Sequence, residues 1–99
     1  MKPVIAVIGP TAAGKTRIAV EVAEKVGGEV ISVDSALIYR GMDIGTAKPT
    51  KAEQAEVRHH MIDICDPREK FSAADFAERA HGVIADIRSR GKRVLLCGG

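Results

Sequence analysis

One eight-residue segment near the start of the chain has the residue types needed to hold a phosphate group. The run Gly9-Pro10-Thr11-Ala12-Ala13-Gly14-Lys15-Thr16 fits the pattern GxxxxGK[ST], in which glycines let backbone amides turn toward an anion. Lys15 adds a positive charge, and the Thr16 hydroxyl suits Mg²⁺ bridging phosphate oxygens. We predict that these eight residues bind a diphosphate or a nucleotide, with Thr16 as a metal ligand.

The segments on either side supply the structure that this motif requires. Pro3 to Ile8 is apolar and β-branched without alternation, which is typical of a strand buried on both faces. Lys15 to Val26 carries an apolar stripe at helical spacing and is followed by Gly27-Gly28, which predicts a helix and its end. A phosphate site is therefore favoured over an ordinary glycine-rich turn with a solvated lysine.

A carboxylate follows the next predicted strand. We predict a second short strand from Glu29 to Val33, which ends in Asp34 and Ser35. Because the carboxyl ends of parallel strands meet at one edge of a sheet, we expect Asp34 to lie near the phosphates. It would take a proton from a nucleophile or bind Mg²⁺ through water. The alternative is a turn or helix cap followed by Ser35.

The middle of the chain is harder to assign. The segment from Ala36 to Thr50 contains Gly41, Gly45 and Pro49, which predicts irregular structure, and irregular segments of this length are often functional. Lys51 to Val57 is compatible with a short exposed helix. We interpret the apolar stretch Met61 to Ile64 as a third strand.

The last third predicts a long helix and a final strand. Ser72 and Asp75 have the spacing of a capping box. One apolar face follows, at Phe76, Ala80, Val83, Ile84 and Ile87. The helix should end at Gly91, and Arg93 to Cys97 reads as a buried strand.

Composition agrees with one α/β domain covering residues 1–99. Hydrophobic residues make up 45% and aromatic residues only 3% of the 99, so the core is built mainly from aliphatic side chains, as in parallel sheets flanked by helices. We predict a three-layer fold of the P-loop NTPase type with a mainly parallel sheet. Since Gly98-Gly99 follows a buried strand directly, we expect this to be the N-terminal part of a longer enzyme.

Charge, cysteine content and hydropathy limit the partners and the cellular compartment that we expect. The formal net charge of +2 permits RNA binding without requiring it. Cys65 and Cys97 form no CxxC pattern and are expected to be free thiols in a reducing compartment. The first apolar run is too short to cross a membrane, so we expect a cytoplasmic protein with no membrane partner.

Two further groups of residues invite a functional interpretation. His59 and His60 with Cys65 suggest a zinc site, but the spacing matches no familiar zinc pattern. Four cations cluster near the end of the long predicted helix, namely Arg88, Arg90, Lys92 and Arg93. They suit the helix dipole and a solvated surface, or else they contact RNA phosphates.

Several segments, taken in order, resemble the tRNA dimethylallyltransferase family, also called tRNA isopentenyltransferase. They are the phosphate motif at 9–16, Asp34-Ser35-Ala36-Leu37-Ile38-Tyr39, the run from Gly41 to Pro49, His59-His60, Asp63, Asp66-Pro67, the run from Phe71 to Phe76, and Gly98-Gly99. The likeness spans nearly the whole chain, and the second and third segments are far more specific than a P-loop.

The resemblance implies a reaction and a role for each motif. The family transfers a dimethylallyl group from dimethylallyl diphosphate to N6 of an adenosine beside the tRNA anticodon. It implies that the P-loop, a motif commonly read as an ATP site, grips the donor's diphosphate with Lys15 and Mg²⁺. Asp34 would be the general base, and Asp34, Ser35, Ala36 and Leu37 would meet the tRNA. We expect a monomer.

Two other functions remain open from the sequence. A small-molecule P-loop kinase would use the same cradle for ATP, with Asp34 activating a hydroxyl group. Alternatively, the 99 residues bind phosphate or RNA without catalysis. For the isolated chain we expect little or no transferase activity.

Overall fold

The fold is an α/β arrangement of four short strands and three α-helices, seen in a computed structural model that describes residues 3–8, 12–41 and 48–98. The elements in chain order are β1 (Ile5–Val7), α1 (Ala12–Val26), β2 (Gly28–Ser32), a 3-10 helix (Ser35–Ile38), α2 (Lys51–Glu56), β3 (His59–His60), α3 (Ala73–Ser89) and β4 (Arg93–Cys97). The strands of the described part form one sheet in the order β1-β4-β2-β3, with every pairing parallel.

Alternation along the strands places helices on both faces of this sheet. Val30 of β2 and Leu95 of β4 are paired neighbours and pack with Ala19, Val20 and Ala23 of α1. Ile31 and Val94 point to the opposite face, where they pack against α3. The α1, sheet and α3 layers confirm the predicted three-layer fold with a parallel sheet.

The predicted face of α3 is the one that the protein buries. Ile87 is fully buried, and Phe76, Ala80, Val83 and Ile84 pack around the same cluster. The helix begins at the predicted capping box, in which Asp75 N donates to Ser72 Oγ at 3.0 Å and Ser72 N donates to Asp75 Oδ2 at 2.9 Å. These reciprocal bonds satisfy two amides that the first turn leaves without helical partners.

The strand predicted at Met61 to Ile64 is wrong. The paired residues are His59 and His60, which lie beside Val30 and Ile31. Met61 and Asp63 have φ angles of 68° and 55°, a left-handed conformation outside the β region in which regular strand residues lie. The chain therefore turns away from the sheet edge after only two paired residues.

A buried carboxylate joins β2, β3 and α3 at the amino end of the sheet. The Glu29 side chain is 8% exposed and accepts hydrogen bonds from the Arg90 guanidinium, with one N···O distance of 2.9 Å. His60 Nε2 lies 2.6 Å from the same carboxylate. Arg90 is the main cause, and His60 a lesser one, of a Glu29 pKa lowered from 4.5 to about 2.

This cluster predicts how stability depends on pH. The lowered pKa corresponds to about 3 kcal/mol of stability, which is present above pH 4.5 and is lost as the pH falls toward 2. Glu29→Gln should remove a similar amount at pH 7, because Arg90 is left without its buried partner. Urea unfolding of the full-length protein at pH 7 and pH 3 would measure both effects. Glu78→Gln, on the exposed side of α3, is the control, and equal unfolding midpoints for the two variants would contradict the prediction.

Candidate functional site

The candidate site lies where the carboxyl ends of β2 and β4 meet the first turns of α1. A small cavity of about 30 Å³, room for roughly one water molecule, is found there. Its lining residues are Lys15, Thr16, Val30, Ser32, Asp34, Leu37, Pro49, His59, Cys97 and Gly98. The parallel topology brings these distant parts of the sequence together at one edge, which is where α/β sheets bind ligands.

Lys15 and Thr16 of the phosphate motif line this cavity. Lys15 is half-buried, and Thr16 is 6% exposed. Both lie in the first turns of α1, where the backbone amides that open a helix and the helix dipole favour an anion. Gly9, Pro10 and Thr11 lie outside the described residues. Ala12, Ala13 and Gly14 open the helix.

Asp34 lines the same cavity as Lys15. It follows β2 after two residues, it is exposed, and its backbone carbonyl accepts a hydrogen bond from Leu37 N at 3.0 Å. That bond belongs to the 3-10 helix of residues 35–38, a regular element inside a segment that we predicted to be irregular. Asp34 thus stands at the start of a turn and beside the phosphate motif at once, and the two roles weighed for it are compatible.

Leu37 is the fourth sequence-predicted site residue on the cavity wall, after Lys15, Thr16 and Asp34, and it is buried. Ser35 and Ala36 lie between Asp34 and Leu37 in the same 3-10 helix. Residues predicted to meet the acceptor and residues predicted to hold the diphosphate therefore lie on one side of the protein.

His59 is a lining residue that sequence reasoning considered only as a zinc ligand. Its Nδ1 lies 2.7 Å from the Val57 carbonyl oxygen, so Nδ1 must carry the proton and donate. Its Nε2 is buried and has no hydrogen-bond partner within the described residues. Burial lowers the pKa of His59, which keeps the ring neutral, with an acceptor lone pair at Nε2.

Ser32, Pro49, Cys97 and Gly98 were also missed as parts of the site. Cys97 is half-buried and free, and burial raises the pKa of its thiol while the charge of Lys15 opposes that rise. Gly98 packs so closely on Val33 that a Cβ would collide with that side chain. Ser32, Cys97 and Gly98 had a positional signal, because each ends or follows a strand at the edge where Asp34 lies. Pro49 had no such signal.

The oxygen atoms around the cavity suit a magnesium ion that would be bound mainly by water and by the phosphates of a substrate. Among the described residues, no group of three or more histidine, cysteine, aspartate or glutamate side chains is placed to hold a metal. Thr16, Ser32 and Asp34 instead offer a few oxygen atoms around the cavity. Mg²⁺ is commonly bound in this way, through one or two protein oxygens, water and substrate phosphates.

Other surfaces fit the predicted chemistry less well. A larger groove of about 650 Å³ follows α3, but its charged lining is mainly acidic, with Asp75, Glu78 and Asp86 against Arg79, and it would repel phosphate. Arg90 and Arg93 lie at the amino end of the sheet, and Arg90 is bound to Glu29 and Asp86. No helix in the described ranges is long and apolar enough to span a bilayer.

Comparison with known proteins gives one consistent result. Residues 37–99 match the IPP transferase family. A tRNA dimethylallyltransferase of Halorhodospira halophila is 58% identical over 97 residues, which is 98% of this chain and 31% of that protein. The chain thus spans about a third of the length of the curated relatives it matches.

Solved structures agree with the sequence comparison. The crystal structure of tRNA delta(2)-isopentenylpyrophosphate transferase from Staphylococcus epidermidis is 52% identical and superposes with a TM-score of 0.89, covering 99% of this chain and 33% of that one. A eukaryotic dimethylallyltransferase acting on tRNA is 34% identical with a TM-score of 0.84, covering 96% of this chain and 23% of that one.

Proposed function

This chain belongs to the IPP transferase family, and we propose that the full-length protein transfers a dimethylallyl group from dimethylallyl diphosphate to N6 of the adenosine beside a tRNA anticodon. The observation that carries the proposal is the shared cavity of Lys15, Thr16 and Asp34. A cation for the leaving group and a carboxylate for the incoming amine have to lie near one reaction centre, and this cavity supports that arrangement.

The two halves of the reaction need different groups. The bond between the allylic carbon and the diphosphate oxygen breaks, a bond from that carbon to adenine N6 forms, and N6 gives up one proton. Lys15 and the amides at the start of α1 stabilise the charge that builds on the departing diphosphate. Asp34 accepts the proton from the amine. Thr16 would hold Mg²⁺, which supplies further charge neutralisation on the phosphate oxygens.

The partners follow from this chemistry. The target adenosine has to leave its stack to reach a site at the edge of the sheet, and residues 34–37 are the part of the described chain that we assign to meet it. We propose dimethylallyl diphosphate as the donor, a monomeric enzyme and a cytoplasmic location.

A direct assay separates this proposal from phosphate transfer. The full-length protein would be mixed with labelled dimethylallyl diphosphate and unmodified tRNA transcripts, and separately with labelled ATP and small hydroxyl acceptors. We expect labelled prenyl groups in the tRNA of the first mixture and no labelled phosphate on the small acceptors of the second. A transcript with guanosine at the target position is the matched control and should stay unlabelled. Phosphate transfer from ATP without any prenyl transfer would overturn the proposal.

A further inference from the structure

Two walls of the cavity, Leu37 and Pro49, are fixed in place by one residue outside it. Asp63 N donates to the Leu37 carbonyl oxygen at 3.0 Å. The Asp63 carboxylate accepts a bond from Lys48 Nζ at 2.6 Å, and Lys48 is the neighbour of Pro49. Asp63 therefore holds the Leu37 wall through its backbone and the Pro49 wall through its side chain.

The surroundings show that this connection is built into the fold. The Lys48 side chain is only 18% exposed and that of Asp63 is 40% exposed, so removing either partner leaves the other charge partly desolvated without its counter-ion. Pro49 is buried, and its carbonyl oxygen accepts a further bond from Gln54 Nε2 at 3.0 Å. Next along the chain, Ile64 N donates to the Ile38 carbonyl oxygen at 2.8 Å.

The backbone of Asp63 is unusual in a way that matches such a role. Its φ of 55° is left-handed, a conformation that costs most residues about 1–2 kcal/mol and that asparagine and aspartate tolerate better than any residue except glycine. In this conformation the Asp63 amide bonds to Leu37 and its carboxylate bonds to Lys48 at the same time.

We propose that Asp63 and Lys48 are positioning residues for the acceptor side of the transferase site: their ion pair, with the Asp63 amide, holds the Leu37 and Pro49 walls where the target nucleotide enters. This inference rests on the proposed function. Neither residue lines the cavity, so they act through the walls they hold. Loss of the pair should weaken the use of tRNA and leave the diphosphate cradle of α1 unchanged.

Steady-state kinetics of the full-length enzyme would test the pair. Asp63→Asn keeps the size and the left-handed tolerance of residue 63 but removes its charge, and Lys48→Met removes the partner. Each should raise KM for an anticodon stem-loop RNA about fivefold to tenfold, as expected for a lost hydrogen-bonded ion pair, with KM for dimethylallyl diphosphate within about twofold. Lys48→Arg keeps the positive charge, so its KM for the RNA should stay close to the wild-type value.

Two comparisons make the result decisive. The double variant should be no worse than either single one, because both remove the same interaction. Arg68→Met breaks the exposed pair of Arg68 with Asp66 and should change neither KM. An unchanged KM for RNA in Asp63→Asn and Lys48→Met, in an enzyme that does transfer prenyl groups, would overturn this inference alone. A wild-type protein with no prenyl transfer would overturn it together with the proposed function.

Discussion

Replacing Lys15 with methionine in the full-length protein is expected to lower kcat/KM for prenyl transfer by about 10³-fold. Methionine keeps most of the length of the unbranched side chain at the start of α1 but removes the positive charge from the cavity that Lys15 shares with Asp34. Loss of a single preorganised group that stabilises a developing anion costs factors of this size. The measurement is steady-state transfer of labelled prenyl groups to tRNA.

The chain offers a close control for this change. Lys25 lies in the last turn of the same helix and is exposed, so Lys25→Met removes an equal charge far from the cavity and should leave the rate within about twofold. Lys15→Arg keeps the charge with a different geometry and should recover only part of the activity. A Lys15→Met enzyme within tenfold of wild type would contradict the assignment of the leaving-group site.

The second large effect is expected at Asp34. Asp34→Asn should lower kcat by a factor of roughly 10² to 10⁴, the range for removal of a general base, with little change in KM for the prenyl donor. Asparagine caps turns and helices as well as aspartate does. A residue that serves only as a cap before the 3-10 helix would therefore tolerate this exchange.

The outcome distinguishes the two interpretations of Asp34 directly. Asp34→Ala removes both the carboxylate and any capping group, so it should match Asp34→Asn in kcat and have a lower thermal midpoint. Single-turnover measurements would show whether the chemical step itself is slowed. Wild-type kcat in Asp34→Asn would rule out its role as the base and leave the turn interpretation.

The parts of the fold that the sequence predicted are those in which local pattern and tertiary packing agree. Residues 93–97 form β4 with the predicted bounds, and α3 begins at the Ser72 cap and buries the predicted stripe. The third strand, β3, was misplaced because a short apolar stretch such as Met61 to Ile64 is a weak signal for a strand. The two left-handed residues that follow β3 are Met61 and Asp63. Neither is a glycine or an asparagine, the residues that would have indicated a turn most clearly.

The site divides in the same way. Lys15, Thr16 and Asp34 were predictable as cavity neighbours because a motif and the rule for parallel strand ends place them. His59 reaches the cavity as part of a two-residue strand. Pro49 is held there next to Lys48, which forms an ion pair with Asp63. Neither connection has a periodicity that a single sequence reveals, and the roles of all these residues stay predictions until the variants are measured.

The position of β4 has a consequence for synthesis on the ribosome. β4 is the last of the described strands in chain order, yet it lies between β1 and β2, and β1 pairs only with it among the described residues. The emerging polypeptide cannot join β1 and β2 in one sheet until residue 97 has left the exit tunnel. Until then β1 and β2 have exposed edges that can pair with other chains, so slowed translation shortly before β4 should favour aggregation of the nascent protein.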